Sequence, residues 1–399
     1  MLDLKKYEDM MAKCSGCEFC QATCPVYMED LLETHVARSR VGLIKATLLE
    51  NSMAVTKRLR DVINRCLLCT NCVQTCPAVI PVDEIVITAR SMLYRETKLD
   101  APRRYILRKF MVNRGFGSLL GEAASFARER GWIPSEIPSP APFQFEKLCS
   151  RLITPKGKAR ARVAYFVGCA TNTFYPETAR DAIRVLTQNG IEVALPAGLV
   201  CCGMPALGKG YLDMAQEMIR TNIAILDAQE VDAIVTDCTT CGLMLKVKMA
   251  KALPEKDPLR SRAEAIAAKV WEATDYLNQI GLVEEPSAFP EKYTYHVPCH
   301  RGWTPTINDS PRSLLAKAPR SELVEMEYPE RCCGAGGAFF MDYPELSENI
   351  RSHKIDDILR SGVMTVITQC PACRSYLSPV LPKHRVMHPL SLLAKAYGY

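Results

Sequence analysis

Cys169, Cys201-Cys202-Gly203 and Cys238-Thr239-Thr240-Cys241 are followed further along the chain by Cys299, Cys332-Cys333-Gly334 and Cys370-Pro371-Ala372-Cys373. The intervals nearly repeat. Cys201 lies 32 positions after Cys169, and Cys332 lies 33 after Cys299. Cys238 lies 36 after Cys202, and Cys370 lies 37 after Cys333. Five thiols recurring in one order, each adjacent pair followed by Gly, imply one structural unit used twice.

Each copy reads as strand, helix, strand, helix, strand. In the first, Arg162–Val167 is an apolar run ending at Cys169, Ile191–Leu195 is a second run, and Leu199-Val200 leads into the cysteine pair. Asp213–Val231 has helical spacing, and Ala233–Thr236 is a strand running into Cys238. The second copy repeats this with Tyr293–Val297, Glu322–Glu327, a helix over Glu345–Arg360, and Met364–Thr368 before Cys370. The cysteines therefore fall at the carboxyl ends of strands, the edge where open parallel α/β sheets bind ligands. The glycines permit tight turns and close backbone approach there.

A structural zinc site uses four ligands, and a C-x-x-C pair alone can serve as a redox dithiol. Five cysteines per unit exceed both needs. This stretch resembles the cysteine-rich (CCG) domain of heterodisulfide reductase catalytic subunits. The same domain occurs in the iron–sulfur subunits of glycolate oxidase, D-lactate dehydrogenase and anaerobic glycerol-3-phosphate dehydrogenase. The resemblance implies that each complete motif binds a non-cubane [4Fe–4S] cluster through five cysteines: Cys169, Cys201, Cys202, Cys238 and Cys241, then Cys299, Cys332, Cys333, Cys370 and Cys373.

Upstream stand Cys14-x-x-Cys17-x-x-Cys20-x-x-x-Cys24-Pro25 and Cys66-x-x-Cys69-x-x-Cys72-x-x-x-Cys76-Pro77. This spacing is that of two cubane [4Fe–4S] clusters, in which three close cysteines wrap one cluster and the fourth reaches the other. It assigns Cys14, Cys17, Cys20 and Cys76 to one cluster and Cys66, Cys69, Cys72 and Cys24 to the second; paired zinc knuckles are the alternative. Pro25 and Pro77 are expected to stop local helices. Leu31–Leu49 and Ala54–Asn64 read as helices between the motifs, so this part resembles the α-helical ferredoxins of multisubunit dehydrogenases. Arg38, Arg40 and Lys45 are candidates to offset cluster charge, or members of a solvated helix face.

The 399 residues are 48% apolar and 24% charged, with a formal charge of +6. The charge is interspersed and accompanies no aromatic-rich basic stripe, which argues against nucleic acid as a partner. The first residues contain no apolar core of signal-peptide length, and no run long enough to span a bilayer follows. Nineteen cysteines in such a chain point to metal, not disulfides. A cytoplasmic location is expected, with peripheral contact at the inner face of the membrane through the basic amphipathic stretch that begins at Arg103. Packing of that stretch on its own protein is the alternative. Four prolines between Ile133 and Phe145 mark an extended connector. Cys149 belongs to neither motif and reads as a buried structural thiol. Pro254–Gly281 reads as helical.

His300, next to Cys299, is the candidate catalytic proton donor or a hydrogen-bond partner of thiolate sulfur. His296 is expected to point away from the cluster on the alternating strand. Gly334-x-Gly336-Gly337 is not a dinucleotide fingerprint, lacking the strand–loop–helix unit and downstream acid, and reads as close packing around the cluster.

The expected architecture is α+β and multidomain: an α-helical ferredoxin domain (1–97), a helical and Pro-rich connector (98–160), and two pseudo-repeated α/β cysteine-rich units (161–283 and 284–399). No hydride or carbanion site is visible, so the chain is expected to move electrons singly. The resemblance implies an electron-transfer subunit that works with a flavoprotein dehydrogenase for a 2-hydroxyacid such as glycolate or D-lactate, or for glycerol-3-phosphate. A quinone or membrane cytochrome b would be the acceptor. The alternative is a heterodisulfide reductase cleaving a disulfide at two non-cubane clusters. In the membrane-linked form of that enzyme the ferredoxin part is fused to the cysteine-rich part, as it is in this chain.

Overall fold

The computed structural model describes residues 3–97, 101–112, 130, 137–141, 145, 151–304 and 306–399. Cys149 and most of the proline connector lie outside them.

Two sheets carry the cysteine-rich region. The first contains β1 (Leu152–Ile153), β2 (Ala161–Tyr165), β3 (Ile191–Ala194), β4 (Ala233–Thr236) and β5 (Val270–Glu272) in the order β1-β3-β2-β4-β5. The second contains β6 (Lys292–Tyr295), β7 (Glu322–Leu323), β8 (Thr365–Ile367) and β9 (Arg385–Met387) in the order β7-β6-β8-β9. Remove the antiparallel edge strand β1 and the two orders match strand for strand, all parallel. The sequence repeat is thus a repeat of topology, with β2 and β6 at the point where strand order reverses.

The registers coincide as well. Tyr165 pairs with Val235 as Tyr295 pairs with Ile367. The next residue makes the same bond in each unit: Phe166 N–H donates to Val235 O at 2.8 Å, and His296 N–H to Ile367 O at 3.0 Å. Tyr165 and Tyr295 face one shared core with Leu186, Leu314 and Leu393, where the units pack on each other.

Some elements differ from the sequence reading. Pro254–Gly281 is not wholly helical: Val270–Glu272 is a strand between the helices Arg260–Ala268 and Ala273–Ile280. Three residues are too few to show a period of two, and β5 exists through its pairing with β4 (Ile234↔Val270). The run expected over Glu322–Glu327 is a strand only at Glu322–Leu323.

Residues 3–97 contain helices and loops and no strand. The helix Val82–Thr97 buries Ile85, Val86, Ala89 and Leu93 against Val41 and Ile44 of Ala37–Ile44 and Leu59 and Ile63 of Lys57–Asn64. Pro25 opens a helix, Pro25–Asp30, rather than only ending one; its missing N–H is no loss at the first helical position.

This helical part is locked onto the first cysteine-rich unit. Arg90 is buried and donates to the carbonyls of Ile63, Asn64 and Cys66, and to Gly208 O at 2.6 Å. Lys248 Nζ lies 2.5 Å from Asp83 and 2.8 Å from Glu84; Lys251 and the Tyr7 hydroxyl also reach Glu84. The basic helix Ala101–Val112 lies along Leu212–Asp227. Arg104 pairs with Asp213, Arg108 with Glu217, and Met111 is buried with its carbonyl accepting from Cys201 N–H at 3.0 Å. No helix among the described residues is long and apolar enough to cross a membrane.

Candidate metal centres

Two small cavities sit in the helical part. One is lined by Cys14, Cys17, Cys20 and Cys76, together with Arg38. The other is lined by Cys24, Cys66, Cys69 and Cys72, together with Arg40. Each therefore takes three cysteines from one motif and the fourth from the other, although Cys72 also borders the first. Local geometry repeats: Glu18 (φ 67°) and Thr70 (φ 61°) follow the second cysteine of each motif in left-handed conformation and start the short helices Phe19–Ala22 and Asn71–Gln74. Cys14 and Cys17 are exposed, whereas Cys24 and Cys69 are buried. The first cavity is thus at the surface and the second inside.

Arg40 is 2% exposed, and its Nη2 has no partner among the described residues. A buried guanidinium nitrogen beside four cysteines fits an anionic group held there. Arg38 donates to Gly16 O and pairs with Glu18 and Glu33 at the rim of the first cavity. Lys45 pairs with Glu50 and lines neither cavity, so it does not share that arrangement.

All ten cysteines of the repeats line one further cavity of about 190 Å³, joined by Cys66 and Cys69. The sheets explain the convergence. Cys169 starts a helix just beyond β2, and Cys238 caps one just beyond β4; Cys370 caps a helix just beyond β8 in the same way, while Cys299 follows β6 in a bend without a helix. Cys238 (φ −128°, ψ 114°) and Cys370 (φ −130°, ψ 109°) have the same backbone. Gly203 (φ 95°) and Gly334 (φ 87°) take the left-handed turn that sends both sulfurs of each pair inward. Gly336 is a close approach of the kind expected: a Cβ there would lie 2.4 Å from Leu67 Cδ2.

Within each unit the sulfurs crowd together. Cys169 and Cys201 Sγ are 3.4 Å apart, and Cys333 and Cys373 Sγ 3.3 Å apart. Thiols donated by Cys201 and Cys241 hold Cys202 down to about 6; Cys332 and Cys373 hold Cys333 well below the usual thiol range. Cys241 is pushed up by donating to Cys202 and Cys373 by donating to Cys333, whereas the Cys373 thiol also holds Cys370 down. Burial pushes Cys69 up to about 12. Five sulfur donors crowded this closely and buried can all be thiolates only with bound cations between them, which is the donor chemistry of an iron–sulfur site.

His300 keeps its expected place at the cavity, and His296 does not point away from it. His300 lines the cavity but has both ring nitrogens engaged: Nε2 donates to Leu68 O at 3.1 Å, and Nδ1 accepts from Thr240 Oγ1 at 2.9 Å. It ties the ferredoxin part to both units. His296 was expected to face away; instead it is 1% exposed and lies with Cys333 and Cys373 so that one ligand atom of each falls within 4.8 Å of the others. Tyr293 and Tyr295 occupy the inter-unit face of β6, which leaves the residue after the strand on the face that meets the cysteine loop. Aligning the two halves residue by residue carries the signal, since His296 stands where Phe166 stands in the first. Arg90 left no such trace in the sequence.

The family described as a cysteine-rich domain matches residues 163–246 and again 293–378, and the 4Fe-4S dicluster domain matches residues 10–80. An uncharacterized iron–sulfur protein of Methanococcus maripaludis is 30% identical over 82% of this chain, which spans only 59% of that protein. A probable glycolate oxidase iron–sulfur subunit of Bacillus subtilis is 24% identical over 98% of this chain and 95% of its own length. A lactate utilization protein A of an Exiguobacterium strain is 31% identical over 58% of this chain and 94% of its own. The chain belongs to the iron–sulfur oxidoreductase subunits that join a ferredoxin dicluster domain to tandem cysteine-rich domains.

Proposed function

We propose that the chain is the electron-transfer subunit of a flavin-dependent dehydrogenase acting on a 2-hydroxyacid such as glycolate or lactate, or on glycerol-3-phosphate. It would hold two cubane clusters through the two four-cysteine sets and two non-cubane clusters through the two five-cysteine sets. The observation that carries this reading is the continuous run of cysteine-lined cavities. Electrons enter at the exposed Cys14–Cys17 edge, pass to the buried set of Cys24, Cys66, Cys69 and Cys72, and reach the large cavity that Cys66 and Cys69 also line. The names of the glycolate oxidase and lactate utilization relatives support the substrate class, and the word subunit in the former supports a partner chain.

A quinone or cytochrome b is the proposed acceptor. Contact with a membrane through Ala101–Val112 would have to compete with the pairing of Arg104 to Asp213 and Arg108 to Glu217.

One observation favours a second reading. Both complete five-cysteine sets face a single cavity, the arrangement needed to split a disulfide with one half at each cluster. The two readings separate in one assay under anaerobic conditions. The dehydrogenase reading expects rapid reduction of the chain by a reduced flavoprotein dehydrogenase and no turnover of disulfides with a reduced viologen as donor. Disulfide turnover without the flavoprotein would replace it with the second reading.

A further inference from the structure

The two cysteine-rich units differ at one buried position beside their sulfurs. Phe166 and His296 follow the same strand residue, make the same backbone bond, and stand three positions before Cys169 and Cys299. Phe166 packs in the core that contains Cys201, Cys202, Cys238 and Cys241. His296 packs against Cys333 and Cys373 instead. Among the described residues neither of its ring nitrogens has a hydrogen-bond partner, and the sulfurs of Cys333 and Cys373 lie within 4.8 Å of one of them. A buried N–H left unpaired is costly, so the sulfurs are the acceptors this ring is placed to use. Lys354 and Arg301 are other cations nearby; Lys354 is bonded to Tyr328 O and to Asp357, and Arg301 is paired with Glu330, which offsets their charge.

We propose that His296 donates an N–H hydrogen bond to the Cys333–Cys373 sulfur pair and so makes the second-unit cluster easier to reduce than the first-unit cluster. The inference rests on the reading of the five-cysteine sets as clusters. A donor aimed at a thiolate sulfur stabilises the added negative charge of the reduced state; Phe166 offers no such donor. The buried four-cysteine set borders both units: Cys24, Cys69 and Leu67 pack with Cys299, Cys332 and Phe339, and Leu68, Cys66 and Cys72 share a core with the cysteines of the first unit. His296 thus acts as a positioning and tuning residue, making the second-unit cluster the electron reservoir.

The test is an anaerobic redox titration followed by electron paramagnetic resonance, with iron counted in every sample. In H296F the reduced-to-oxidised ratio of the second-unit cluster at fixed potential should fall at least tenfold, equivalent to 59 mV for one electron. The other three clusters should not move. F166H should shift the first-unit cluster the opposite way, and H296Q, which keeps an N–H donor, should recover part of the ratio. Protein labelled with ¹⁵N-histidine should show a weak nitrogen coupling to the second-unit cluster that is lost in labelled H296Q, which retains His300. Unchanged titrations in iron-replete H296F, equal shifts of all clusters, or the strong coupling of a directly bound nitrogen would overturn the proposal. If H296F fails to hold its cluster, the label decides: a coupling present in the unmodified protein and lost in H296Q supports the proposal, and a coupling that is absent or unchanged in H296Q overturns it. Unmodified protein saturating near eight iron, enough for two clusters only, would instead remove the cluster reading beneath it.

Discussion

Thr70 Oγ1 donates a hydrogen bond to the carbonyl oxygen of Cys299 at 3.2 Å, across 229 positions of sequence. Gln74 Nε2 reaches the same carbonyl at 3.4 Å and Thr70 Oγ1 at 3.0 Å. Thr70 stands between Cys69 and Cys72, so this contact joins the buried four-cysteine set to the first thiol of the second five-cysteine set. Thr70→Val keeps the shape and removes the donor. It should leave iron content unchanged and slow electron transfer into the second unit several-fold, measured by rapid-freeze paramagnetic resonance. An unchanged rate would place the main route elsewhere.

Arg90 should matter more for assembly than for transfer. Replacing it with Met leaves the carbonyls of Ile63, Asn64, Cys66 and Gly208 buried without their donor. The expected loss is roughly 3 kcal/mol or more in urea unfolding, together with earlier proteolysis between the helical part and the first unit. Stability equal to the unmodified protein would show that these carbonyls find other donors.

The paired glycines are predicted to be unequal. A Cβ at Gly334 would lie 2.5 Å from Ser347 O, whereas at Gly203 the nearest atom is Ala215 O at 3.4 Å. Both have positive φ, so both alanine variants are strained, but Gly334→Ala must also move the helix Pro344–Arg360. Iron loading after reconstitution should fall further in Gly334→Ala than in Gly203→Ala. The reverse order would contradict the close-approach account.

Glu84 gives a pH signature. Burial alone would raise its pKa, but Lys248 and Lys251 outweigh it and bring the carboxyl from 4.5 to about 2. A depressed acid stabilises the fold above its unfolded pKa, and this contribution is lost as pH falls from about 4.5 toward 2. The shift corresponds to roughly 3 kcal/mol. Glu84→Gln should therefore flatten the acid limb of the stability curve in that window. An unaltered slope would mean the Lys248 network does not persist in solution.

Much of this architecture was legible in the cysteines. Their spacing in the first part fixes which sulfurs can share a site, and the cavities at Cys14 and Cys24 gather those sets. The doubled pattern foretells two like sheets because local strand and turn signals precede each cysteine. What the sequence hid depends on long-range packing. β5 is three residues long and is made a strand by β4. His296 could be placed only once β6 had chosen which face meets the other unit. The joining of both five-cysteine sets into one cavity depends on how the repeats dock, which no spacing within a repeat encodes. Arg90 reads as one more helix-surface cation until the carbonyls around it are seen.

The central claim is that this one chain holds four clusters in its four cysteine sets. Iron and acid-labile sulfide, counted per chain after anaerobic purification and reconstitution, test it most directly. The account predicts about 16 of each, four per cluster, falling to about 12 in a Cys333→Ala variant that keeps both cubane signals. Saturation near eight iron, or full loading with zinc in place of iron, would contradict it.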